Sequence, residues 1–193
     1  MITPDSPILS SPSGTIDQCV KYIRTHPHGE YSDYDIGQIV KSYFETCAKG
    51  GIDPVMVIAQ AIHETACFSS WWSQRPRRNP AGIGVTGRKS LTVEKPRGAW
   101  ELKDGIWFEG VAFKAWATES VPAHVGRLLA YALHNGQGTA HQHHLIGYAL
   151  GIRPLPLSYR GAAPTWKGLA GRWAVPGQFY PKALIRLQEA ITK

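Results

Sequence analysis

Between Gly51 and Gly87 the chain runs an apolar helix straight into a loop, and that junction limits what the rest can be. Asp53-Pro54 opens the helix, with Asp as N-cap and Pro in the first turn. Val55, Ile58 and Ile62 share one face, and Ala59 and Ala61 add small side chains that let neighbours close in. Such a helix packs tightly in an interior. Its one carboxylate is Glu64, near the C-terminal end. From Phe68 to Gly87 the chain holds Trp71, Trp72, Pro76, Pro80 and three glycines, which rule out a long regular element. An interior helix that ends on a glutamate and breaks into an aromatic, Gly-rich loop sets a carboxylic acid at the wall of a cleft.

The flanking segments supply more helices and one hairpin. Thr15-Ile-Asp-Gln18 matches a capping box, followed by Ile16, Cys19, Val20 and Ile23 on one face. Ser32 or Asp33 caps a second helix, which Lys49-Gly50-Gly51 ends. Leu91 to Glu94 reads as a short strand. Ala99–Lys103 and Ile106–Phe113 flank Asp104-Gly105, a strong hairpin signal. Thr118 or Ser120 caps a helix with a stripe of Val121, Val125, Leu128, Leu129 and Leu133. Residues 134–164 read as a long irregular excursion with at most a short helix at His141–Ile146. A last helix runs from Pro181. The expectation is a mainly helical α+β domain over 15–193, with a hairpin lobe at about 91–114. Residues 1–14, rich in Pro, Ser and Gly, read as a flexible tail.

The net charge of +7 attracts polyanions but does not choose among them. The chain has no long Lys/Arg run and no named nucleic-acid motif, so no nucleic-acid partner is expected. No segment reaches membrane-span length, so no membrane partner is expected. The N-terminus lacks a leader pattern; a substrate outside the membrane is then reached by lysis, by another export route, or from a longer precursor. Cys19, Cys47 and Cys67 read as buried thiols. His63-Glu64 lacks the second histidine of a zinc-protease helix, since Cys67 stands there. His141, His143 and His144 read as solvated. No Gly-x-Ser-x-Gly occurs. Gly82 to Gly87 fits a dinucleotide pattern but follows no strand. Neither a metal nor a cofactor is expected.

Paired carboxylates remain. Glycoside hydrolysis needs an acid for the leaving oxygen and a second group for the water or the cation. Glu64 fits the acid. With Asp104-Gly105 as the turn, Glu101 faces with Phe108, and Trp100 with Glu109, so only one of Glu101 and Glu109 faces a cleft. Trp71, Trp72, Trp107, Trp173 and Tyr180 are candidates to stack on sugars.

At these residues the chain resembles the bacterial glucosaminidases of glycoside hydrolase family 73. Ala59-Gln60-Ala61-Ile62-His63-Glu64-Thr65 resembles that family's Ala-Gln-x-x-x-Glu-[Ser/Thr]. Asn79-Pro80-Ala81-Gly82-Ile83 stands where the family has Asn-x-Phe-Gly-Ile. Phe113-Lys-Ala-Trp116 and Glu119 to His124 resemble its segment after the hairpin. Trp173-Ala-Val-Pro through Tyr180 and Leu184 resembles Tyr-Ala-Thr-Asp-Pro-x-Tyr-x-x-x-Leu. The resemblance covers about residues 33 to 193. It implies a lysozyme-like fold, no metal, and cleavage of the β-1,4 bond after N-acetylglucosamine in peptidoglycan. It implies Glu64 as the acid, prefers Glu101 to Glu109 or Glu94 as the second carboxylate, and puts Asn79, Gly82, Trp173 and Tyr180 against the sugar. Glycan strands are the expected partner of a monomer. The alternatives are a muramidase or lytic transglycosylase of the same fold, or a non-catalytic wall-binding module.

Overall fold

The chain folds as a mainly helical α+β structure, given by a computed structural model that describes residues 1–92 and 99–193. The helices are α1 (Ile16–Arg24), α2 (Asp33–Gly50), α3 (Pro54–Thr65), α4 (Val121–Ala132), α5 (Ala140–Ile152) and α6 (Tyr180–Ile191). A small antiparallel sheet holds β1 (Lys89–Ser90), β2 (Trp100–Lys103) and β3 (Ile106–Glu109) in the order β1-β3-β2.

Helix α3 lies at the centre, packed against α2 and α6. Ten of its twelve residues are buried; only His63 and Glu64 reach solvent. Asp53 caps it, with Oδ1 accepting from the Val55 N–H at 2.9 Å. Thr15 and Ser32 each form a reciprocal capping box. Gly51 ends α2 in the left-handed conformation, φ 68°.

The hairpin has the expected register: Glu101 opposite Phe108, Leu102 opposite Trp107. Asp104 and Gly105 both have positive φ, which lets a two-residue turn follow the twist of the strands. The strand expected at Leu91–Glu94 is displaced. Strand β1 is Lys89–Ser90, and Val93 and Glu94 lie outside the described residues.

Three expectations need correction. Residues 1–14 are not a loose tail. Ile8 is fully buried, its N–H bonds Pro164 O at 2.9 Å, and Pro7 bridges Thr165. The Pro/Ser-rich composition marks an extended strap anchored by Ile8, with Ile2 and Leu9 packed part-buried against the same core. Second, 134–164 is not mostly irregular, because α5 runs thirteen residues from a Thr139–Gln142 capping box. Its Gly147 and Gly151 point to open space and dilute the pattern. Close packing on α4 compensates: a Cβ at Gly126 would sit 2.0 Å from Leu145 O. Third, neither Thr118 nor Ser120 acts as an N-cap. A π-helical turn, Trp116–Ser120, leads straight into α4, and the buried Ser120 hydroxyl donates back to Ala115 O.

Candidate active site

The end of α3 presents Glu64, half-buried, between the exposed His63 and the buried Thr65. Directly after it the backbone turns left-handed for three residues, Ala66, Cys67 and Phe68, with φ of 48°, 56° and 61°. Non-glycine residues rarely adopt this conformation, and each costs roughly 1–2 kcal/mol. Thr65 holds the turn. Its hydroxyl donates to Ala61 O at 2.6 Å and accepts from the Phe68 N–H at 2.8 Å. Phe68 is fully buried, edge-on to Trp116. The chain thus leaves the helix within one residue of Glu64, and the carboxylate stays clear of its own backbone.

Two donors from a distant segment meet Glu64. The Trp173 Nε1–H reaches Oε1 at 3.1 Å, and the Tyr180 hydroxyl donates to the same oxygen. Oε2 has no partner among the described residues. Behind Tyr180 runs a buried file of polar groups. Because the Tyr180 hydrogen is committed to Glu64, Gln60 Nε2 must donate to the Tyr180 oxygen, at 2.7 Å. Gln60 Oε1 then accepts from His124 Nε2–H at 2.9 Å. His124 Nδ1 in turn accepts from the Tyr43 hydroxyl at 3.0 Å. Burial pushes His124 down to about 3, so the imidazole is neutral with its proton on Nε2. Burial first, and the Glu64 charge second, raise Tyr180 well above the ordinary phenol range, so it stays a donor.

The sheet carries the second group of candidates. Glu101 shares its face with Phe108, whose ring lies 5.8 Å from Trp71. The Arg77 guanidinium stacks 3.9 Å from the Trp71 ring, and its Nε donates to Trp71 O at 2.6 Å. Burial raises the Glu101 carboxyl above its usual range, and the Arg77 charge pulls it back. Glu109, on the other face, pairs with Arg88 at 3.5 Å and accepts from Thr86. Trp107 also lies on that other face, away from Glu101. Glu64 and Glu101 stand on separate elements and share no hydrogen-bond partner. Glu94 lies outside the described residues.

Trp72 packs edge-on to Trp71 and covers the backbone of Gly110, where a Cβ would sit 2.4 Å from the indole. Asn79 needs correction as a sugar contact. It is fully buried, donating to Ile83 O and Val111 O and accepting from the Ala81 and Ile83 N–H groups. Its amide shapes the loop and has no free side for a ligand. Gly82 is exposed at φ 61° on the loop that Asn79 shapes.

A groove of about 290 Å³ is lined by His63, Phe179 and Tyr180, so it lies against the chain neighbour of Glu64 and against the tyrosine that bonds it. The Phe179 ring is 70% exposed. Among the described residues no three His, Cys, Asp or Glu side chains are placed to hold a metal ion. No described helix is long and apolar enough to cross a membrane.

Sequence reasoning assigned no role to Gln60, His124 or Arg77. Gln60 stands one turn before Glu64, and His124 interrupts the apolar stripe of α4, which were the available signals.

A scan against protein-family models finds no match, and a search of curated proteins finds none either. Among solved structures, the catalytic domain of the autolysin Auto from Listeria monocytogenes aligns over 93% of this chain and 96% of that one. The sequence identity is 19% and the TM-score 0.48.

Proposed function

We propose that this chain is a peptidoglycan hydrolase that cleaves the β-1,4 bond after N-acetylglucosamine, with Glu64 as general acid. The observation that carries the reading is the asymmetry at Glu64. Oε1 is held by Trp173 and Tyr180, and Oε2 of this half-buried residue is left without a partner among the described residues. Oε2 is then the oxygen that carries the proton and delivers it to the leaving glycosidic oxygen. Holding Oε1 fixes the plane of the carboxyl, so the proton arrives along one direction. The motif resemblance around Glu64 and Tyr180 supports the same class of substrate. Glu101, raised by burial and steadied by Arg77, is the proposed second carboxylate, acting on the water or on the developing cation. Trp71 and Phe179 supply aromatic surface for sugar rings.

Digestion of purified peptidoglycan tests this. Wild type should release fragments ending in reducing N-acetylglucosamine. Glu64→Gln should lower the rate by about 10²–10⁴-fold. Glu101→Gln should lower kcat more than it changes KM. Undiminished cleavage by Glu64→Gln would end the proposal, and anhydro-sugar ends would replace hydrolysis with transglycosylation.

A further inference from the structure

A second cavity of about 180 Å³ is lined by Trp173, the residue whose indole N–H bonds the Glu64 carboxyl. Arg127, Arg153 and Arg172 line it together with Tyr131 and the Gly82–Gly84 loop, and no carboxylate lines it. Among the described residues none of these three arginines takes part in an ion pair, whereas Arg24, Arg75 and Arg88 each do. What they bond is backbone: Arg127 Nη1 to Arg153 O at 3.0 Å, and Arg172 Nη1 to Gly168 O at 3.1 Å. The Arg153 side chain reaches the Gly84 backbone; a Cβ there would lie 3.7 Å from its Nη1. Burial foremost, and the like charge of Arg153, hold Arg127 below the ordinary guanidinium range. Three cations around one small, partly open cavity repel one another, and a bound anion offsets that repulsion.

We propose that this cavity binds a carboxylate of the peptide stem carried by the glycan strand. The inference rests on the peptidoglycan reading above. In peptidoglycan the stem branches from the sugar bonded to N-acetylglucosamine, so a strand placed with its bond at Glu64 brings a stem past Trp173. The stem is rich in carboxylates, and guanidinium groups recognise carboxylates in a planar, two-point fashion. A cavity of this size admits a carboxylate with the atoms attached to it. The subsite would make the protein favour strands with charged stems over amidated ones.

The test uses the Glu64→Gln protein, which binds without turnover. Calorimetric titration compares a soluble disaccharide–peptide fragment with the same fragment after its stem carboxylates are converted to amides. The charged fragment should bind at least about tenfold more tightly, about 1.4 kcal/mol. Adding Arg153→Gln and Arg172→Gln should erase that preference, with circular dichroism unchanged. Arg172→Glu alone, at an exposed position, should reverse it without risk to the fold. Equal affinity for the two fragments, or a preference that survives in the triple variant, overturns the stem site alone. If neither fragment binds, the stem site falls with the peptidoglycan reading.

Discussion

At the scale of single residues, His124 matters most among those that touch no substrate. It is fully buried and neutral, and its folded-state pKa of about 3 lies far below the ordinary 6.5. Below pH 6.5 the unfolded chain takes up a proton that the folded chain refuses. This contribution to stability is therefore complete above pH 6.5 and is lost as pH falls towards 3. The slope is about 1.4 kcal/mol per pH unit. Urea unfolding of wild type and His124→Gln at a series of pH values should show wild type losing that much more per unit across the window. Parallel curves would mean that His124 is not held neutral. Glu64, Trp173 and Tyr180 were all legible as site candidates, because an acid at a helix end and aromatics near a Pro-Gly turn have few other uses. That Trp173 and Tyr180 donate to the acid itself was not legible. Residues more than 100 positions apart meet only through the packing of α6 on α3. Asn79 misled because a polar loop residue next to glycines looks available, while its four hydrogen bonds are all internal.

At the scale of elements, the left-handed turn after Glu64 is the strained piece. Ala66 is exposed, so glycine there relieves backbone strain without opening a cavity. Ala66→Gly should raise stability by about 1 kcal/mol, less whatever glycine gains in the unfolded chain. Thr65→Val should lower it by about 1–3 kcal/mol, because the buried Phe68 N–H loses its acceptor. Thermal unfolding reads both, and a destabilising Ala66→Gly would show that the turn carries no strain. The caps of α1, α2 and α3 and the hairpin are legible in the sequence, because each is set by chemistry within four residues. Helix α5 was read too short, although Thr139-x-x-Gln142 announces its start just as Thr15-x-x-Gln18 announces α1. Its glycines weakened the periodicity, and only α4, a partner distant in sequence, makes up for them.

At the scale of the molecule, the N-terminal strap and the last helix close the structure on itself. Gln18 Nε2 donates to Thr192 O at 2.8 Å, and Gln188 Nε2 to Ser13 Oγ at 3.1 Å. Ile8→Ala should cost about 2–5 kcal/mol, the range for emptying a buried aliphatic site. A loss under about 0.5 kcal/mol, measured by denaturant unfolding, would mean that the strap is dispensable. The strap is not legible in the sequence because Ile2, Ile8 and Leu9 follow neither a helical nor a strand period in a Pro/Ser-rich stretch. The buried polar file has a consequence of another kind. Its hydrogens all point one way, from Tyr43 through His124, Gln60 and Tyr180 to Glu64. No member has a vacancy: His124 refuses a second proton, and Tyr180 does not give up its own. The file is therefore an insulator and not a wire. In the proposed reaction, whatever Glu64 surrenders on one turnover has to be regained from solvent on its open side. The interior fixes the acid in place but stays electrically silent while it works.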